Sequence, residues 1–193
     1  MDGFRDKNTI GYSIPDIFLS TDTGAPMTRC VQCDYDLLKG DRYYVIEKVF
    51  KRYPDLGKTE VLFEYAICSK CYEKMKEDLS AESMANLSQY MIHNTDVKAM
   101  QKRMEEYPKN PEAWLSHCMV KGTPISNLNE YQMGACFLGD RLMTDFIPPF
   151  IIGNGAIEEM NGILSKETKD QMDDFMNDNF GIPPELRKDL ILI

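Results

Sequence analysis

The spacing of apolar and polar residues changes several times along this 193-residue chain, and each change marks an element. Residues 42–50 (RYYVIEKVF) and 60–67 (EVLFEYAI) are dense in β-branched and aromatic side chains, and the intervening YPDLGKT reads as a loop. Two strands joined as a β-hairpin are expected there. A helical period follows: in CSKCYEKMKEDLS, Tyr72, Met75 and Leu79 recur at the i, i+3, i+7 spacing of one helix face. Further helices are expected over about 81–93 and from Asp96 as N-cap to Tyr107, where Pro108 forbids continuation. Pro111 starts a short turn through Trp114. The stretch EYQMGACFLGDRLMTDFIPP reverts to hairpin character around Gly139-Asp140, a Gly-first pair suited to a tight turn.

The C-terminal part is helical again. Ile157, Met160, Ile163 and Leu164 form one apolar stripe, Met172, Phe175 and Met176 another, and Pro183-Pro184 can open a last short helix up to Asp189. Residues 1–26 hold no sustained period and read as an arm, whose apolar cluster Ile14, Ile17, Phe18 and Leu19 has the means to dock on the rest. LKGDR at 38–42 and FLGDR at 137–141 look alike, but five residues do not make a repeat. The expected class is α+β, organised as an N-terminal arm (1–26), a cysteine-bearing module (27–93) and an acidic, mostly helical part with one hairpin (94–193).

The 43% apolar content supports a real core. Charge narrows the partners. Of 22 basic and 31 acidic residues, 12 and 14 fall in residues 1–80, so the acid excess lies in the second half. That half is a poor nucleic-acid surface, since phosphate backbones are bound by clustered Lys and Arg. The single basic cluster, Lys48, Lys51, Arg52 and Lys58, is interleaved with Glu47, Asp55 and Glu60 and reads as a solvated hairpin tip. No apolar run reaches bilayer length, and Asp2, Arg5, Asp6 and Lys7 stand where a secretory apolar region would begin, so a cytoplasmic protein without a membrane contact is expected. Thiols stay reduced there, which makes paired cysteines metal ligands or redox centres before disulfides.

Four of the six cysteines are so paired: CVQC (Cys30, Cys33) and, thirty-four residues later, CSKC (Cys68, Cys71). Two residues between a pair let both sulfurs reach one ion from a tight knuckle, and two knuckles complete a tetrahedral shell. One structural zinc per chain is the expectation. Iron is the less favoured ion at the same spacing; Asp34 and Tyr72 occupy positions where rubredoxins usually carry glycine. Two separate thiol–disulfide motifs are the remaining alternative, without the βαβ setting such motifs favour. The order knuckle, hairpin, second pair at a helix start resembles the treble-clef zinc fingers, and CVQCDYDLLKGDRYY is similar to the opening of a LIM-type finger. The resemblance spans residues 30 to about 79 and implies Cys30, Cys33, Cys68 and Cys71 as ligands.

His117, Cys118 and Cys136 raise a second site, but three ligands at unfamiliar spacing read first as packing residues. His93 falls at a helix end. LGKT at 56–59 lacks the glycine a P-loop needs at 52. Gly153-x-Gly155 has Glu158 where a dinucleotide fingerprint needs its third glycine. Three functions remain: a non-catalytic zinc-stabilised protein-interaction or regulatory module, which leads, acting through a partner or self-association; an enzyme using carboxylates or Cys118 in the C-terminal part; and a nucleic-acid-binding finger. The acidic stripe around Met172, Phe175 and Met176 either packs on the chain's own core or stays partly exposed as a docking face.

Overall fold

The expected first hairpin forms from two long strands, β2 (Tyr43–Tyr53) and β3 (Lys58–Cys68), numbered after a short β1 (Tyr12–Ser13). The structure, a computed structural model, describes residues 12–145 and 147–181. The short helix expected from Pro183 to Asp189 lies outside them. Cys68 ends β3 and caps α1 (Ser69–Asp78), which is followed by α2 (Ala81–Asn94), α3 (Val97–Glu106) and α4 (Pro111–Trp114). The Asp96 carboxylate accepts from Ala99 N–H at 2.9 Å, which fixes the start of α3 where the capping argument puts it. Then come β4 (Glu130–Leu138), β5 (Arg141–Met143), β6 (Phe150–Gly153), α5 (Asn154–Gly162) and α6 (Lys166–Phe180). Helices and an antiparallel sheet make an α+β fold.

All the strands among the described residues join one sheet in the order β1-β5-β4-β2-β3, with β6 beside the first half of β4. Its centre is the antiparallel β2–β4 pair, running from Tyr43↔Leu138 to Lys51↔Glu130. Both strands are buried on both faces through their middles, which is why their sequences read as continuous apolar runs rather than alternating ones. Sheet pairing thus spans residues on both sides of position 93. In β3 the register skips between Val49↔Phe63 and Phe50↔Val61, so Leu62 is bulged and left exposed.

The arm docks across the face that carries Tyr44, Ile46 and Lys48. Phe18 is fully buried and meets Phe137 edge-on at 5.4 Å. Lys48, expected at an exposed tip, is instead buried, donating to Leu19 O and paired with Glu64 at 2.8 Å, while Glu64 accepts from Thr21 N and Oγ1 at 2.7 Å. The arm's hydrogen bonds are what make that burial tolerable. The opposite face carries Val45, Glu47 and Val49 and is covered by helices: Phe175 of α6 meets Tyr65 at 5.8 Å, and Phe180 meets Phe63 at 5.6 Å. Glu47 is buried there, accepting from the Tyr65 hydroxyl and from Gln132 Nε2 at 2.8 Å. Met172, Phe175 and Met176 are all buried, so most of the acidic helix stripe packs on the chain's own core.

Candidate metal centre

The CVQC turn is built by its own backbone. Cys30 N–H donates to Tyr35 O at 3.0 Å and Asp34 N–H returns to Cys30 O at 2.9 Å. Closing so tight a turn needs a left-handed residue, and Asp34 supplies it at φ 55°, a region that Asp tolerates better than most side chains. This accounts for the missing glycine after the first pair. Val31 N–H then donates to Ala66 O at 2.9 Å, which ties the turn to the end of β3, where Cys68 and the first turn of α1 bring the second pair.

The four sulfurs all lie within 4.8 Å of one another. Cys33 Sγ and Cys68 Sγ are 3.8 Å apart, and a tetrahedron with about 2.3 Å metal–sulfur bonds has edges of about 3.8 Å. None of the four is in a disulfide. Cys30 and Cys68 are buried, Cys71 is half-buried and Cys33 is exposed. Cys68 N–H points at Cys30 Sγ at 3.4 Å. Burial pushes the Cys68 thiol up, but hydrogen bonds from the Cys71 backbone and from the neighbouring thiols more than offset it and bring it to about 7. Burial raises Cys30 and Cys71. The Arg42 guanidinium lies against the Cys68 sulfur and 4.1 Å above the Tyr35 ring, so its own pKa is raised. A divalent ion with four thiolates would carry about −2, and this cation sits where it compensates part of that charge. The Tyr35 hydroxyl donates to Asp41 at 2.9 Å, and Gly40 makes room, since a Cβ there would meet Tyr35 Oη at 2.3 Å.

Among the described residues, the other candidates do not gather into such a group. His117 Nδ1 pairs with Ser116 Oγ at 2.8 Å; Cys118 and Cys136 are buried, and burial pushes the Cys136 thiol up to about 11. His93 stays at the exposed end of α2 against Gln89 O. The basic cluster is spoken for: Lys51 pairs with Glu130, Lys58 with Glu60, and Arg52 donates to the carbonyls of Ile125 and Leu128 at 2.9 and 3.3 Å. Gly153 is small because a Cβ would meet Leu128 Cδ2 at 2.6 Å, which is a packing reason and owes nothing to a phosphate.

Beside the cluster runs a groove of about 460 Å³ between α1 and α6. Met75, Leu79, Met172 and Phe175 line its apolar part, Asp78, Asp174 and Asp178 outnumber the one cation Lys74 in its charged part, and Cys33 and Cys71 also line it. The sequence showed both stripes, Met75 and Leu79 on α1 and Met172 and Phe175 on α6, but not that they face each other, because nothing local pairs 71–79 with 171–178. No protein-family model matches the chain, and comparison with curated proteins and with solved structures finds no similar one. No helix among the described residues is long and apolar enough to cross a membrane.

Proposed function

We propose that this chain is a zinc-stabilised, non-catalytic protein-interaction module, with Cys30, Cys33, Cys68 and Cys71 holding one structural zinc in a treble-clef arrangement. The sulfur cluster carries this reading: four thiols within 4.8 Å of one another, one pair at tetrahedral edge length. All four positions are protein sulfurs, so no coordination site is left for an activated water, and the ion's work is to hold the knuckle to the hairpin and α1. The groove between α1 and α6 is the contact surface. Its occupant is a protein segment with apolar anchors flanked by Lys or Arg, because three aspartates rim an apolar floor. The cation pairing around Lys51, Arg52 and Lys58 argues against a nucleic-acid surface. Reduced thiols of this kind fit the cytoplasm.

Elemental analysis of purified, reduced protein tests the metal: one zinc per chain is expected, and iron or no metal in folded protein overturns the assignment. Binding is tested with a panel of basic amphipathic peptides read by fluorescence anisotropy. Asp174→Asn/Asp178→Asn should weaken capture and flatten its salt dependence; a chain that binds no member and stays monomeric at all concentrations removes the interaction role.

A further inference from the structure

We propose that residues 116–179 are a second copy of the unit formed by residues 28–94, and that Cys118, Lys121, Gly153 and Ala156 stand at the four positions that Cys30, Cys33, Cys68 and Cys71 hold in the first. The evidence begins with backbone hydrogen bonds. Around Cys30, Leu37 N–H donates to Thr28 O, Cys30 N–H to Tyr35 O, Asp34 N–H to Cys30 O, and Val31 N–H to Ala66 O, at 2.9, 3.0, 2.9 and 2.9 Å. Around Cys118 the same four recur: Ile125 to Ser116, Cys118 to Thr123, Gly122 to Cys118, and Met119 to Ile151, at 2.9, 2.8, 2.9 and 2.8 Å. The left-handed residue recurs too, Asp34 at φ 55° and Gly122 at φ 65°. So does the bridge flanking the turn, Arg29↔Asp36 and His117↔Pro124. Even the N–H···S contact is kept: Cys68 N to Cys30 Sγ and Gly153 N to Cys118 Sγ are both 3.4 Å.

The strands and helices continue the correspondence. Tyr44 faces Cys68 across β2–β3, and Tyr131 faces Gly153 across β4–β6. Shifting β2 by 87 positions turns each β2–β4 pair into another pair of the same register, so a local two-fold axis passes through Glu47↔Gly134. About it the stacked pair Tyr44–Phe137 (5.5 Å) exchanges with Tyr131–Phe50 (4.9 Å), tyrosine for tyrosine and phenylalanine for phenylalanine. From 65–94 to 150–179 the alignment runs without a gap at a spacing of 85, with identities Ile67/Ile152, Met75/Met160, Leu79/Leu164, Ser80/Ser165, Glu82/Glu167 and Met91/Met176. The caps of α2 and α6 meet on the same axis. Ser80 Oγ and Ser165 Oγ touch at 2.9 Å, Ser80 N–H donates to Thr168 Oγ1 at 3.1 Å, and Ser165 N–H donates to the equivalent Ser83 Oγ at 2.8 Å.

What differs is chemistry at the equivalent sites. Lys121 stands for Cys33 and Glu159 for Lys74, and the Lys121 ammonium binds both Glu159 oxygens at 2.6 Å while Tyr90, the counterpart of Phe175, donates to Glu159 at 2.6 Å. This ion pair and phenol stand beside the counterpart groove between α2 and α5, where Asn86, Gln89, Tyr90, His93, Ile163 and Leu164 take the places of Gln171, Asp174, Phe175, Asp178, Asp78 and Leu79. Two aspartates rimming the groove between α1 and α6, Asp174 and Asp178, come from the second copy and correspond to Gln89 and His93 in the first, so the counterpart surface between α2 and α5 lacks them.

The duplication is tested by returning the missing thiols in the full-length protein. The variant Lys121→Cys/Gly153→Cys/Ala156→Cys also carries Leu128→Ala, to clear the space that a Cβ at 153 needs. A second variant, Lys121→Cys/Ala156→Cys, leaves the glycine alone and offers three thiols with Cys118. Zinc content and cobalt(II) titration are read against the parent. One added metal equivalent per chain in the first variant, with a thiolate-to-cobalt absorption band, is the expected result, and a weaker added equivalent in the second. No added equivalent in either variant overturns the proposal, as does failure of both to fold, since equivalent ligand positions must accept cysteine. This inference rests on the four-cysteine reading only for its choice of metal. The parent's own metal content reports on that reading, and the increment reports on this one.

Discussion

The two halves of this protein share a backbone plan and are held together by different means. Around Cys30 the knuckle is tied to strand and helix by four convergent sulfurs. Around Cys118 the same turn is tied by a buried thiol accepting two N–H groups, from Lys121 and Gly153 at 3.4 Å each, and by the Lys121–Glu159–Tyr90 contacts. The comparison teaches that the turn and its strand register can be kept by main-chain hydrogen bonds once the packing around them is sufficient. The second copy has such packing: Leu128, Ile151, Ile152, Ala156 and Ile157 are all buried. In the first copy Cys33 is exposed and α1 has no fully buried residue, so an ion supplies what the core does not.

Equivalent substitutions should therefore have unequal effects. The largest is expected from Cys30→Ala, which removes a ligand: the metal equivalent is lost together with cooperative melting of the first half, because structural zinc binding is worth about 10–16 kcal/mol in small modules. Metal analysis and thermal circular dichroism check this, and a folded, metal-replete variant would break the contrast. Phe137→Ala empties a fully buried site shared by both halves and should cost about 3–5 kcal/mol in chemical denaturation, with metal content unchanged.

Glu64→Gln leaves the buried Lys48 ammonium without its ion pair and should cost about 2–3 kcal/mol. Its pH dependence has a definite sign. Burial pushes the Glu64 carboxyl up, but Lys48 and the Thr21 hydrogen bonds more than offset this and hold it below the usual glutamate value. The stabilisation is present above the unfolded pKa and is lost as pH falls through the depressed folded one, so parent and variant should converge in acid. Urea titrations at neutral and acidic pH measure the gap; a gap that does not narrow means the charge is not its source. The smallest change is expected at the counterpart of the position where the largest is expected: Cys118→Ala should cost about 1–2 kcal/mol and leave the metal untouched. Loss of metal from that variant would mean that the two halves are not chemically distinct.

Much of the local structure was legible. Hairpin strands, the cap at Asp96, the Pro108 stop and the Gly139 turn depend on residues near one another in sequence, and local rules read them. The cysteine pairs were legible for the same reason, since ligand spacing within a knuckle is a local property. The duplication was not. The visible likeness, LKGDR with FLGDR, is out of step with the structural repeat, which joins residues 85 to 88 apart, not 99. The true repeat keeps hydrogen bonds made by backbone groups, which no side chain announces, while three of the four ligand positions have changed.

By itself the sequence determined most of the element types, though not the short strands β1 and β6, together with the four-thiol set and the acidity of the second half, because propensity, capping and ligand spacing act over a few residues. Only the tertiary structure decided that Lys48 goes inside, that β2 pairs with β4 through a shared axis, and that α1 and α6 face each other across a groove. Each of these joins residues tens of positions apart. Their energies come from burial and from hydrogen bonds that exist only once both partners are in place.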